Sequence, residues 1–164
     1  MLVGRAGYIA GWLWLRSQGI ASLSREEIFG VCDMMVSCGQ QYSRHTSSPS
    51  PLMYQYYGTE YLGAAHGLTG ILQMLLSVPG YLQHCSPSAA ADIRASVDYL
   101  LQLQTPQGNF PCAMDELLPG RRTPEDELVH WCHGAPGTVY LLARAFLLWK
   151  DEKYLVALRS IELE

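Results

Sequence analysis

Two short segments hold the residues best suited to chemistry. Gly63-Ala64-Ala65-His66-Gly67-Leu68-Thr69-Gly70 places a histidine just before a glycine turn. Trp131-Cys132-His133-Gly134-Ala135-Pro136-Gly137 places a cysteine and a histidine at the equivalent spot. A thiolate is a strong zinc ligand, and an imidazole serves as a ligand or as a general acid or base. Junctions between loop and helix aim side chains into shared cavities, so two equivalent junctions are expected to converge at one rim. Each residue also has a plainer reading. A lone cysteine is usually a small buried hydrophobe, and a lone histidine is usually a satisfied structural residue.

The metal arithmetic falls short. A catalytic zinc needs three protein ligands and an open position. Cys132, with His133, His130 or His66 nearby, has no second cysteine at a matching position. Cys112 lies in a loop and is the other candidate, while Cys32, Cys38 and Cys85 fall in or beside helices. A different chemistry would use Asp115-Glu116 and Glu125-Asp126-Glu127 as the paired carboxylates of a glycosidase-like toroid. A charged loop is usually only solvated, however, and the Trp-Cys-His-Gly segment has no role in that reaction.

The elements that position these residues follow from a repeat. Gly4-Arg5-Ala6-Gly7, Gly67-Leu68-Thr69-Gly70 and Gly134-Ala135-Pro136-Gly137 each precede an apolar run with helical spacing. These runs are apolar nearly all round, which predicts helices buried on every side. Between them lie amphipathic patterns. Ser24-Arg25-Glu26-Glu27 is a capping box before Ile28, Phe29, Val31, Met34 and Met35. Ser86-Pro87 opens a helix whose apolar stripe is Ala91, Ile93, Val97, Leu100, Leu101 and Leu103, with Asp92, Arg94 and Asp98 facing water. Buried helices alternating with amphipathic ones predict an all-α fold, an α/α toroid of helical hairpins. Two long connections, residues 43–62 and 105–130, lead into the second and third glycine motifs, and the binding site is expected at that end of the inner helices.

Composition bounds the function. The 164 residues are 49% hydrophobic and 16% charged, which excludes disorder. A net charge of -4 argues against a nucleic-acid partner. Five cysteines cannot all pair within one chain, so a reduced, cytosolic setting is expected. No anchor or membrane-spanning run is visible, and peripheral association with a membrane stays open.

Taken together, Gly4-Arg5-Ala6-Gly7-Tyr8, Ser50-Pro51-Leu52-Met53-Tyr54, Glu60-Tyr61-Leu62-Gly63-Ala64-Ala65-His66-Gly67, Gly108-Asn109-Phe110-Pro111 and Val129-His130-Trp131-Cys132-His133-Gly134-Ala135-Pro136-Gly137 resemble the LanC-like family. Its members are eukaryotic relatives of the bacterial lanthionine cyclases. The resemblance implies an α/α barrel of seven helical hairpins with zinc at one end. It further implies addition of the glutathione thiolate to dehydroalanine or dehydrobutyrine in peptides or proteins, forming a thioether. On this basis Cys132 matches the first zinc ligand and His66 matches an active-site histidine able to protonate the enolate, while His133 matches a position that is not a ligand. The later Cys-His pair that completes the zinc site in the family has no counterpart here. The chain, residues 1–164, is therefore expected to be an incomplete barrel of about three of the seven hairpins, inactive alone and prone to aggregate. The alternative is a non-catalytic glutathione-binding or signalling interaction protein.

Overall fold

The computed structural model describes residues 4–20, 23–121 and 127–161. Among them there are seven α-helices, one short 3₁₀ helix and no strand. Helices α1 (Gly4–Ser17), α3 (Leu68–Ser77) and α6 (Ala135–Trp149) begin at the three glycine motifs. Each packs on the amphipathic helix that follows it: α1 on α2 (Arg25–Thr46), α3 on α5 (Pro87–Gln102), and α6 on α7 (Glu152–Arg159). The four-residue α4 (Tyr81–His84) lies within the middle connection. The inner helices contact one another in the order α1, α3, α6. The result is an arc of three helical hairpins, an all-α piece of an α/α toroid.

Local signals set the ends of the outer helices. Ser24 accepts from the Glu27 N–H, and the Glu27 carboxylate accepts from the Ser24 N–H, completing the capping box. Ser86 accepts from the Ala89 N–H, with Pro87 in the first turn. Helix α2 runs to Thr46, three residues beyond the expected start of the first long connection, and ends at Ser47 in the left-handed region. A two-residue link, Lys150-Asp151, closes the α6–α7 hairpin, and the Asp151 carboxylate caps α7 at Lys153.

Burial of the inner helices depends on their place in the arc. Flanked on both sides, α3 buries Leu68, Leu72, Leu75 and Leu76 almost completely. Each such side chain contributes about 1.5–3 kcal/mol. The outermost two depart from the all-round burial expected of them. Tyr8 and Trp14 on α1, and Tyr140 and Leu147 on α6, are more than half exposed, because each of these helices has an inner neighbour on one side only.

The outer faces also differ from a simple water-facing pattern. On α5, Ala91 is exposed while Ser96 is buried, accepting from the Leu52 N–H and donating to the Asp92 carbonyl. Asp92, Arg94 and Asp98 are half-buried and reach neighbouring elements. Asp92 accepts from Gln40, Arg94 pairs with Asp151 at 2.8 Å, and Asp98 accepts from the Tyr154 hydroxyl at 2.6 Å. These polar groups join successive hairpins to one another. All five cysteines are unbridged, and among the described residues no helix is long and apolar enough to cross a membrane.

Candidate functional site

The site is built around residues 60–67, held on three sides by backbone hydrogen bonds. Leu62 N–H donates to the Cys112 carbonyl at 2.8 Å, and Met114 N–H donates to the Glu60 carbonyl at 3.0 Å. Ala65 N–H donates to the Cys132 carbonyl at 3.4 Å. The free amides that open α3 are satisfied in the same place, Leu68 by the Tyr61 carbonyl and Thr69 by the Leu62 carbonyl. Gly63 explains why the segment can approach the Cys132 loop so closely. A Cβ there would collide with the Cys132 carbonyl and crowd the His133 Cα. The two motifs singled out in the sequence are thus in direct backbone contact.

The Cys132 loop is positioned by a residue from another connection. His130 and His133 exchange both backbone hydrogen bonds, at 2.8 and 3.2 Å, leaving Trp131 and Cys132 at the tip of a tight turn. Gly134 follows at φ +99, a conformation that L side chains rarely adopt, with no space for one. Asn109, only 4% exposed, then fixes the loop to α6. Its Oδ1 accepts from the Ala135 N–H at 2.8 Å, capping the helix from 26 residues away, and its amide donates to the Leu128 carbonyl at 3.2 Å. That amide also donates to the Glu127 carboxylate at 3.3 Å. Asn109 is a positioning residue whose task its place in the Gly108-Asn109-Phe110-Pro111 motif does not disclose.

His66 stands among aromatic rings. Its imidazole stacks on Tyr56, with centroids 4.9 Å apart and planes within 2°. Tyr61 lies 6.1 Å from His66 on one side and 5.9 Å from His133 on the other. The Nδ1 atoms of both histidines are buried and make no hydrogen bond among the described residues. His133 is held below the ordinary imidazole pKa by burial first and by the nearby His66 and His130, with Glu116 acting the opposite way.

A cavity of about 210 Å³ opens beside His66. It lies where α1 and α3 begin, the end of the inner helices at which a site was expected, and Arg5, Cys38, Tyr54 and Tyr56 also line it. Arg5 makes no ion pair among the described residues. Cys132 and His133 do not line the cavity. Cys132 is half-buried, and the two motifs meet through backbone and through Tyr61.

Two of the acidic residues considered for glycosidase-like chemistry, Glu116 and Glu127, have structural tasks. Glu116, in the 3₁₀ helix Met114–Leu117, accepts from the Cys112 N–H at 2.9 Å. Glu127 accepts from Asn109. Glu125 and Asp126 lie outside the described residues.

Comparison with known proteins decides the family. The model of the family described as lanthionine synthetase C-like protein matches residues 1–163. The chain belongs to the lanthionine synthetase C-like family. One curated relative, from Danio rerio, is named Glutathione S-transferase LANCL1 and is 36% identical over 159 residues. That match takes in 94% of this chain and 37% of the relative, so the chain spans little more than a third of the relative's length.

The zinc implied by the family does not fit the described residues taken alone. Among the described residues no group of three or more His, Cys, Asp or Glu side chains is gathered where it could hold a metal ion. Cys132 would supply one of the three protein ligands that a catalytic zinc requires.

Proposed function

We propose that this chain carries the His66 portion of a site that joins glutathione to dehydroalanine or dehydrobutyrine residues of peptides or proteins. The observation that carries this reading is the cavity beside His66, at the start of the inner helices and next to the Cys132 loop. The family match and the relative's name support glutathione as the thiol. Arg5 would offer its charge to a glutathione carboxylate.

The reaction is a conjugate addition. The glutathione thiolate attacks the β-carbon of the dehydroamino acid, forming a C–S bond as the C=C π pair moves toward the carbonyl to give an enolate. His66, as the imidazolium, delivers a proton to the α-carbon, which leaves a saturated thioether and a neutral imidazole. The thiol's own proton, lost on forming the thiolate, recharges the histidine, so no external oxidant or reductant is needed. Tyr56 stacked on the ring would hold its orientation during both transfers. The described residues alone do not gather a zinc site, so turnover belongs to a longer form that supplies the remaining ligands.

Incubation with glutathione and a dehydroalanine peptide, followed by mass spectrometry, tests the division of labour. The 164-residue chain should bind glutathione without accumulating thioether. Efficient turnover by the chain alone would overturn the need for further segments. Glutathione binding with no thioether even from a longer form would establish the non-catalytic alternative.

A further inference from the structure

Tyr57 stands in a conformation and an environment that folding does not explain. Tyr56 and Thr59 pair through two backbone hydrogen bonds of 2.9 and 3.1 Å, leaving Tyr57 and Gly58 as the turn between them. Both have positive φ, +49 and +81, as in a type I′ hairpin, where Asn-Gly is the favoured pair. A tyrosine in the left-handed region is strained, and this one is 91% exposed. Among the described residues its one ring contact is edge-on to Tyr56, with centroids 4.6 Å apart. Tyr56 in turn stacks on His66. The strained ring is therefore the outermost of a three-ring column whose inner end is the proposed proton donor.

We propose that Tyr57 is a specificity-determining residue of the site. It receives an apolar or aromatic side chain close in sequence to the dehydroamino acid of the peptide partner. The inference rests on the addition chemistry proposed above. Glutathione has no large apolar side chain to meet such a ring, whereas a polypeptide has them on either side of the reacting residue. Tyrosine suits that task because it offers a rigid amphipathic surface at low entropic cost. The two ring separations place Tyr57 no more than about 9.5 Å from the His66 ring. An extended chain advances about 3.3–3.6 Å per residue, so the side chain received lies within about three residues of the reacting one.

The test uses two fluorescein-labelled dehydroalanine hexapeptides, one with Phe two residues from the dehydroalanine and one with Gly there. Affinities for the 164-residue chain are read by anisotropy. The native chain should prefer the Phe peptide by about three- to tenfold. Tyr57→Phe should keep that preference. Tyr57→Asn should abolish it while Tm stays level or rises, because asparagine suits the turn better. Equal affinity of the native chain for the two peptides would overturn this inference alone, as would a preference that survives Tyr57→Asn. A fall in Tm for Tyr57→Asn would overturn it in favour of a structural role. Failure of the native chain to bind either peptide would overturn this inference, whereas the addition chemistry falls only if a longer form makes no thioether.

Discussion

Replacing Asn109 by alanine should loosen the Cys132 loop and lower the stability of the whole chain. Three hydrogen bonds disappear: from the Ala135 N–H at 2.8 Å, to the Leu128 carbonyl at 3.2 Å and to the Glu127 carboxylate at 3.3 Å. The first is the main loss, because it caps α6 at a buried position and its removal strands a helix-terminal N–H. An unsatisfied buried donor costs about 1–3 kcal/mol, and a net hydrogen bond about 1 kcal/mol. Some relaxation will recover part of this, so a loss of about 3 kcal/mol is expected. For a chain of this length that corresponds to a fall in Tm of roughly 6–12 °C. Urea denaturation gives the equilibrium value, and peptide-mapped alkylation reports the loop, with half-buried Cys132 reacting several-fold faster in the variant. Asn109→Asp keeps an acceptor for Ala135 but loses the donor and adds a charge beside Glu127, so it should not rescue. A loss below about 0.5 kcal/mol with unchanged Cys132 alkylation would refute the claim that Asn109 holds this loop.

Gly63→Ala should separate residues 60–67 from Cys132, because the new methyl meets backbone rather than a movable side chain. A cost of about 1–3 kcal/mol by denaturation and a weaker response to glutathione are expected. Alkaline pH should destabilise the chain. Burial pushes the Cys32 thiol up to about 12, and burial with the Asp33 hydrogen bond raises Tyr81. A raised folded pKa gives stability that is fully present below the unfolded value, near pH 9, and is lost as pH rises through the folded one. Denaturation midpoints should therefore fall between pH 9 and 12, with Cys32→Ala reducing the slope. Trp14→Glu combined with Leu147→Glu should reduce self-association in sedimentation experiments without unfolding the chain. Both side chains are more than half exposed on the two outermost inner helices.

The helices were legible because their signals are local. The capping box, the Pro-bearing first turn and the glycine-opened apolar runs each act within a few residues, and each recurs in the structure at the expected place. The all-round apolarity of α1 and α6 is legible as composition but not as burial, because burial depends on which neighbours a helix has. Distant partnerships were hidden. The cap on α6 comes from Asn109, and on α5 the charged Asp98 and Arg94, expected to face water, meet residues more than 50 positions away. The site divided in the same way. The glycine motifs marked His66 and Cys132, yet only the folded chain shows that backbone contact and Tyr61 link them while the cavity belongs to the His66 side. A strained Tyr57 leaves no trace in its residue type, since tyrosine is not what a left-handed turn normally selects.

The central claim is that the cavity beside His66 receives glutathione, and the His66 ring is the direct reporter. The measurement is a glutathione titration of the 164-residue chain, followed through the imidazole carbon-bound protons by NMR at constant pH. Assignment comes from His66→Gln and His45→Gln. The account predicts a saturable shift of the His66 resonances, none for exposed His45, and loss of saturable binding in an Arg5→Ala variant that remains folded. Saturable glutathione binding that leaves His66 unmoved, or no binding by the folded chain, would contradict it.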